Sequence, residues 1–236
     1  MKLCMFHPVD HPMERGWPGR IDGDQVVELA AQTLQSYFTG GGAAREHAVF
    51  PLDAVHFLAP VLHPPAVRVF EDGTTFAFAN PAAIRGPESE VVHRTIDDWV
   101  QLELRPRLAG VVGAGGSIAG LTLFADWRAP SVPAPKDRDF AIGLGPVVVT
   151  LDEAPRAPAL VVRISGDEKL RTRFDTFDWA AAHDFAAHGT SLVPGDLLAG
   201  PSPGVVAGIE PASVVEIEVE GLGVLSQTVH PEVELF

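Results

Sequence analysis

The sequence predicts a mainly β fold of the α+β class, a barrel or roll of short strands with few helices at its side. Three observations carry this. Residues 214–220, Val-Val-Glu-Ile-Glu-Val-Glu, alternate apolar and acidic with the two-residue period of a half-buried strand. Turn residues recur between short apolar runs, since the 23 glycines and 21 prolines are dispersed rather than clustered. Only one stretch, residues 176–188, reads as a clear helix.

The elements follow in order. The chain opens with a strand, and Asp22-Gly23 then signals a tight hairpin, because glycine accepts positive φ. Val27, Ala30, Ala31, Leu34 and Phe38 give residues 26–38 a partly helical pattern that stops at Gly40-Gly-Gly42. Residues 55–62 and 67–70 are short strands, and residues 74–79 are strand-like by their β-branched and aromatic content. Residues 80–87 are irregular. From 99 to 112, Val100, Leu102, Leu104, Pro106 and Leu108 share one face, while Gln101, Glu103, Arg105 and Arg107 share the other. Pro106 cannot donate to a ladder and points to an edge or a bulge. Residues 118–124 and 147–151 are further strands, and residues 159–165 and 168–174 form a hairpin about Gly166-Asp167. Thr176 is the expected N-cap of the helix, Gly189 lies beyond its end, and residues 192–198 turn into a strand. By periodicity alone, no linker divides the chain.

Composition narrows the function. The 236 residues are 46% hydrophobic, enough for a substantial core. A formal charge of −14 repels polyphosphate and argues against nucleic acid as a partner. A single cysteine, Cys4, fits a reducing compartment, and with no apolar leader or spanning run the expectation is a cytoplasmic protein with no membrane partner. Weaker signals mostly have plainer readings. Gly200-Pro-Ser-Pro-Gly204 has the letters of a nucleophile elbow without its helix. Cys4, His7 and His11 lack a zinc spacing, and Gly113–Gly116 has no following helix to cradle a phosphate. His183 and His188 are five apart, about 140° around a helix, which separates them. Glu216, Glu218 and Glu220 read as a solvated strand face.

A set of short motifs carries a resemblance. Arg68-Val-Phe70, Asn80-Pro-Ala-Ala-Ile-Arg-Gly-Pro87 and Arg105-Pro-Arg-Leu-Ala-Gly-Val-Val-Gly113 come first. Gly120-Leu-Thr-Leu-Phe-Ala-Asp-Trp-Arg-Ala129, Arg138-Asp-Phe-Ala-Ile-Gly-Leu-Gly-Pro146 and Leu192-Val-Pro-Gly-Asp196 follow in the same order. Together they resemble the fumarylacetoacetate hydrolase family over most of residues 66–230. The resemblance implies a mixed β-roll or β-barrel-like core at 66–236, a small N-terminal α+β domain at 1–65, and a homodimer. It also implies hydrolysis, decarboxylation (a lyase reaction) or isomerisation of small diketo acids with magnesium or manganese.

Position by position, the family's metal ligands are mostly replaced. The Asp of its Arg-Asp-Phe motif falls on Val69, its Glu-x-Glu on Arg105 and Arg107, and only the Asp of Phe-Asn-Asp-Trp is kept, as Asp126. Its following Arg and Gln fall on Pro130 and Pro133, its lysine on Arg138 with Lys136 two residues away, and its Gly-Thr on Gly200-Pro201. A register slip would put Gln101 and Glu103 among the ligands at the expense of the match at 108–113. The segment that carries the family's catalytic His is missing after Phe70, where Glu71-Asp-Gly73 turns at once. Hard cations need several oxygen ligands, so no metal or other cofactor is expected. On the resemblance, Asp126 and Arg138 are the candidate catalytic residues. Arg105, Arg107, Arg128 and Lys136 are the candidate contacts to a small anionic keto acid. Arg105 and Arg107 share a strand face and would clamp the anion from one cavity, with Asp126 orienting them or acting as a base. The competing reading is a non-catalytic pseudoenzyme, a binding or scaffold subunit that partners an active homologue, in which the same charges form a structural ion network.

Overall fold

The structure, a computed structural model of the chain, describes residues 1–73, 75–93 and 101–230. The expected strand positions at Thr74, Trp99 and Val100 lie outside the described residues. In chain order the N-terminal segment holds β1 (Lys2–Pro8), β2 (Trp17–Asp22), β3 (Gln25–Leu29), α1 (Leu34–Thr39), β4 (Glu46–Pro51) and β5 (Val55–Leu58). The middle holds β6 (Val67–Phe70), β7 (Phe76–Ala79), β8 (Ile84–Arg85), β9 (Glu90–Val91), β10 (Leu102–Val112) and β11 (Ile118–Arg128). There follow β12 (Ile142–Leu144), β13 (Val147–Thr150), β14 (Ala159–Ile164), β15 (Asp167–Arg173) and α2 (Trp179–Ala187). The chain closes with β16 (Leu197–Ala199), β17 (Val206–Ile209), β18 (Val214–Val219) and β19 (Gly223–Val229). The fold is mainly β, as the alternation and turn chemistry require. Among the described residues no helix is long and apolar enough to cross a membrane.

Two sheets form. The larger has the path β4-β3-β2-β1-β13-β11-β10-β16-β6-β7, and the smaller runs β15-β14-β18-β19-β9. The boundary expected at residues 65 and 66 falls between β5 and β6, yet β1 pairs with β13 through Lys2–Val149, Leu3–Val148 and Cys4–Val147. The main core lies between the sheets, where Leu102, Leu104, Leu123 and Trp127 of the larger meet Leu160, Val162, Ile217 and Leu225 of the smaller. Trp127 Nε1 donates to Gln227 Oε1 at 2.8 Å and ties the two together. A second core packs Leu34 and Phe38 of α1 against Val69, Ala109, Val111 and Phe124 on the other face of the larger sheet. On β18, Val215, Ile217 and Val219 are buried and Glu216 and Glu218 face outward, so the expected solvated face holds.

Several boundaries differ from the sequence reading. The 26–38 pattern resolves into β3 and a short α1, whose start is fixed by a capping box between Thr33 and Ser36. The first hairpin turns at Gly23-Asp24, since Asp22 pairs with Gln25. The second turns at Ser165-Gly166, since Ile164 pairs with Asp167. Asp178, not Thr176, caps α2, its side chain accepting from Ala181 N at 3.0 Å. Pro106 lies mid-strand, and its place is explained by a gap. On the side of β10 away from β11, β17 pairs at Leu102 and Leu104 and β16 at Ala109 to Val111. Pro106, with no N–H to give, falls between them.

Candidate functional site

β10 and β11 pair along their length, with Glu103 opposite Arg128, Arg105 opposite Asp126 and Arg107 opposite Phe124. Their long side chains reach diagonally, and the partners are not the residues directly across. Arg107 is fully enclosed (0% exposed). Its Nε donates to Asp126 Oδ2 at 3.0 Å and its Nη1 to the carbonyls of Phe70 at 2.9 Å and Gly200 at 3.0 Å. Its Nη2 meets both oxygens of Glu71, at 3.0 and 2.9 Å. Arg128 grips Asp126 from the other side, Nε to Oδ1 and Nη2 to Oδ2, both at 2.9 Å. Arg128 also reaches Glu71 at 3.1 Å and Asp137 at 3.2 Å. Arg138 lies 3.6 Å from Glu71, and its Nη1 is buried without an acceptor.

The electrostatics follow from this crowding. Burial alone would raise the Glu71 carboxyl, but hydrogen bonds from Arg107 and the charges of Arg107, Arg128 and Arg138 outweigh it and hold Glu71 below the usual range. Burial opposes charge on Arg128, yet the hydrogen bonds and charge of Asp126, with Glu71 and Asp137, raise its pKa. Burial and then the charge of Arg128 lower that of Arg138.

The candidate residues therefore divide. Asp126, Arg107, Arg128 and Arg138 come together. Lys136 is exposed and pairs with Asp139. Arg105 does not join Arg107 in one cavity. Its Nε turns to Glu103 Oε1 at 2.8 Å on the same strand face, while Asp126 directly opposite is held by Arg107 and Arg128. The local charge is balanced: three guanidiniums, of Arg107, Arg128 and Arg138, face the carboxylates of Asp126, Glu71 and Asp137. By sequence Glu71 is only part of a turn, yet it is a principal member of the cluster. The one signal for it is an acid directly after the short strand Val67–Phe70. β6 and β7 pair directly, Phe70 with Phe76, so only a short turn separates them.

A sequence profile described as Fumarylacetoacetate (FAA) hydrolase C-terminal matches residues 72–230. The chain belongs to the fumarylacetoacetate hydrolase family. Solved structures agree on the fold. Fumarylacetoacetate hydrolase from psychrophilic Exiguobacterium antarcticum is 19% identical with a TM-score of 0.82, covering 98% of this chain and 100% of its own. Maleylpyruvate hydrolase from Sphingobium sp. SYK-6 is 18% identical at 0.80, covering 98% and 99%. 5-Carboxymethyl-2-hydroxymuconate delta-isomerase from Mycobacterium smegmatis is 24% identical at 0.77, covering 98% and 99%. A search of curated proteins returned no match.

The fumarylacetoacetate hydrolase family implies a divalent cation at this site. A hard cation takes six or more oxygens, among them at least one or two carboxylates free to coordinate. Asp126, Glu71 and Asp137 each accept from a guanidinium instead. Among the described residues no group of three or more His, Cys, Asp or Glu could hold a metal. The donor set does not fit such an ion.

Proposed function

We propose that this chain is a non-catalytic member of its family, a binding subunit in which the guanidinium of Arg107 takes the position of the cation. One observation supports this reading above others. All three nitrogens of the Arg107 guanidinium hydrogen-bond within the chain, to Asp126, the Phe70 and Gly200 carbonyls and both oxygens of Glu71. A group so occupied offers nothing to a substrate carboxylate. Nor does a guanidinium have an empty coordination position with which to polarise a carbonyl or acidify water. The expected homodimer, or pairing with an active homologue, belongs to the same proposal.

A second reading is favoured by Arg138, whose buried Nη1 has no acceptor. In it, a small keto acid anion binds at the outer edge of the cluster and is turned over without a metal, with Asp126 as base. Elemental analysis after dialysis against manganese, together with assays of acylpyruvate hydrolysis, oxaloacetate decarboxylation and tautomerisation, separates the cases. The expected result is no stoichiometric metal and no turnover above the buffer rate. Bound manganese with turnover overturns the proposal in favour of ordinary family chemistry. Metal-free turnover that disappears in Arg138→Ala overturns it in favour of the second reading.

A further inference from the structure

Alternation along β10 sends Leu108 to the opposite face from Arg107. There it lines a cleft of about 150 Å³, with Phe174, Phe177 and Trp179 as walls. The rings of Phe177 and Trp179 meet edge to face, 4.8 Å between centroids. Gly200 keeps the space open: a Cβ added there would stand 3.3 Å from Phe177 and 3.4 Å from Trp179. At the rim lie two exposed side chains of opposite charge, Arg156 and Asp175. Neither makes an ion pair or hydrogen bond with any described residue.

We propose that this cleft binds a ring-bearing zwitterion, an aromatic α-amino acid carrying a single six-membered ring. A cavity of about 150 Å³ takes one benzene-sized ring, and aromatic walls favour an aromatic guest through edge-to-face contact. The guanidinium fork of Arg156 suits the α-carboxylate, and the carboxylate of Asp175 suits the α-ammonium. A plain carboxylate would meet Asp175 as a like charge, and a plain amine would meet Arg156 in the same way, so both rim charges select for the zwitterion. The site uses none of the ion-cluster side chains, and it stands or falls separately from the proposed loss of catalysis.

Calorimetric titration of the full chain tests this. L-Phenylalanine is the probe, with 3-phenylpropanoate, 2-phenylethylamine and benzyl alcohol as partial mimics. Phenylalanine should bind saturably, each singly charged mimic about fivefold more weakly, and benzyl alcohol weakest. Arg156→Ala should erase the preference for phenylalanine over phenylethylamine, and Asp175→Asn the preference over phenylpropanoate. Both positions are exposed, so both variants should fold. No saturable binding of phenylalanine overturns the proposal. So does equal affinity for benzyl alcohol, or two variants that titrate like the wild type.

Discussion

Glu71 stands half exposed at the mouth of the cluster with its carboxylate among three guanidiniums. Its pKa is held down in the folded chain. A group depressed in this way contributes stability that is fully present above its unfolded value, about 4.3, and lost as pH falls through the lower folded value. Melting temperature followed from about pH 5 to about pH 3 at low salt should therefore fall less steeply in Glu71→Gln than in the wild type. Equal slopes would mean that the arginines do little to hold its charge. At this scale the sequence was half legible. The family resemblance singled out Asp126, and strand period set Arg105 and Arg107 on one face of a strand. It could not assign Glu71, because a turn residue follows no period that projects it to one side. Nor could it say that Arg105 would be taken by Glu103, since a shared face does not decide which neighbour captures a flexible guanidinium.

The start of α2 shows what governs element ends. Asp178 accepts from Ala181 N, while Trp179 N is bonded to the carbonyl of Phe177. Asp178→Ala should lower stability by about 1 kcal/mol, read from the urea midpoint, and Thr176→Ala should move it by about 0.5 kcal/mol or less. The sequence offered two cap-forming residues two positions apart, and only the backbone geometry chooses between them. Residues 26–29 failed in another way. Val26 and Val27 fit the apolar spacing of a helix, but pairing with β2 and β4 on either side draws these β-branched residues into a strand. Pro106 by itself points to an edge or bulge. It marks a break between two neighbours on one side of a central strand, and single-strand periodicity carries no information about such a break.

At the scale of the molecule, the class of fold was legible because alternation and turn chemistry recur along the chain. Strand order was not, since a strand's pattern names its buried face and not its neighbours. The link between Trp127 and Gln227 across the two sheets spans 100 positions and leaves no local trace. Arg107 shares that property, and this has a kinetic consequence. Its partners lie 19, 36, 37 and 93 residues away in the sequence. Three separate segments must join its own strand before its charge can leave water, so the contacts close after most of the chain has been ordered. Interactions absent from the transition state alter unfolding and spare folding. In a chevron analysis, Asp126→Ala should raise the unfolding arm and leave the refolding arm nearly unmoved. Arg107 then governs how long the folded chain lasts, not how quickly it forms.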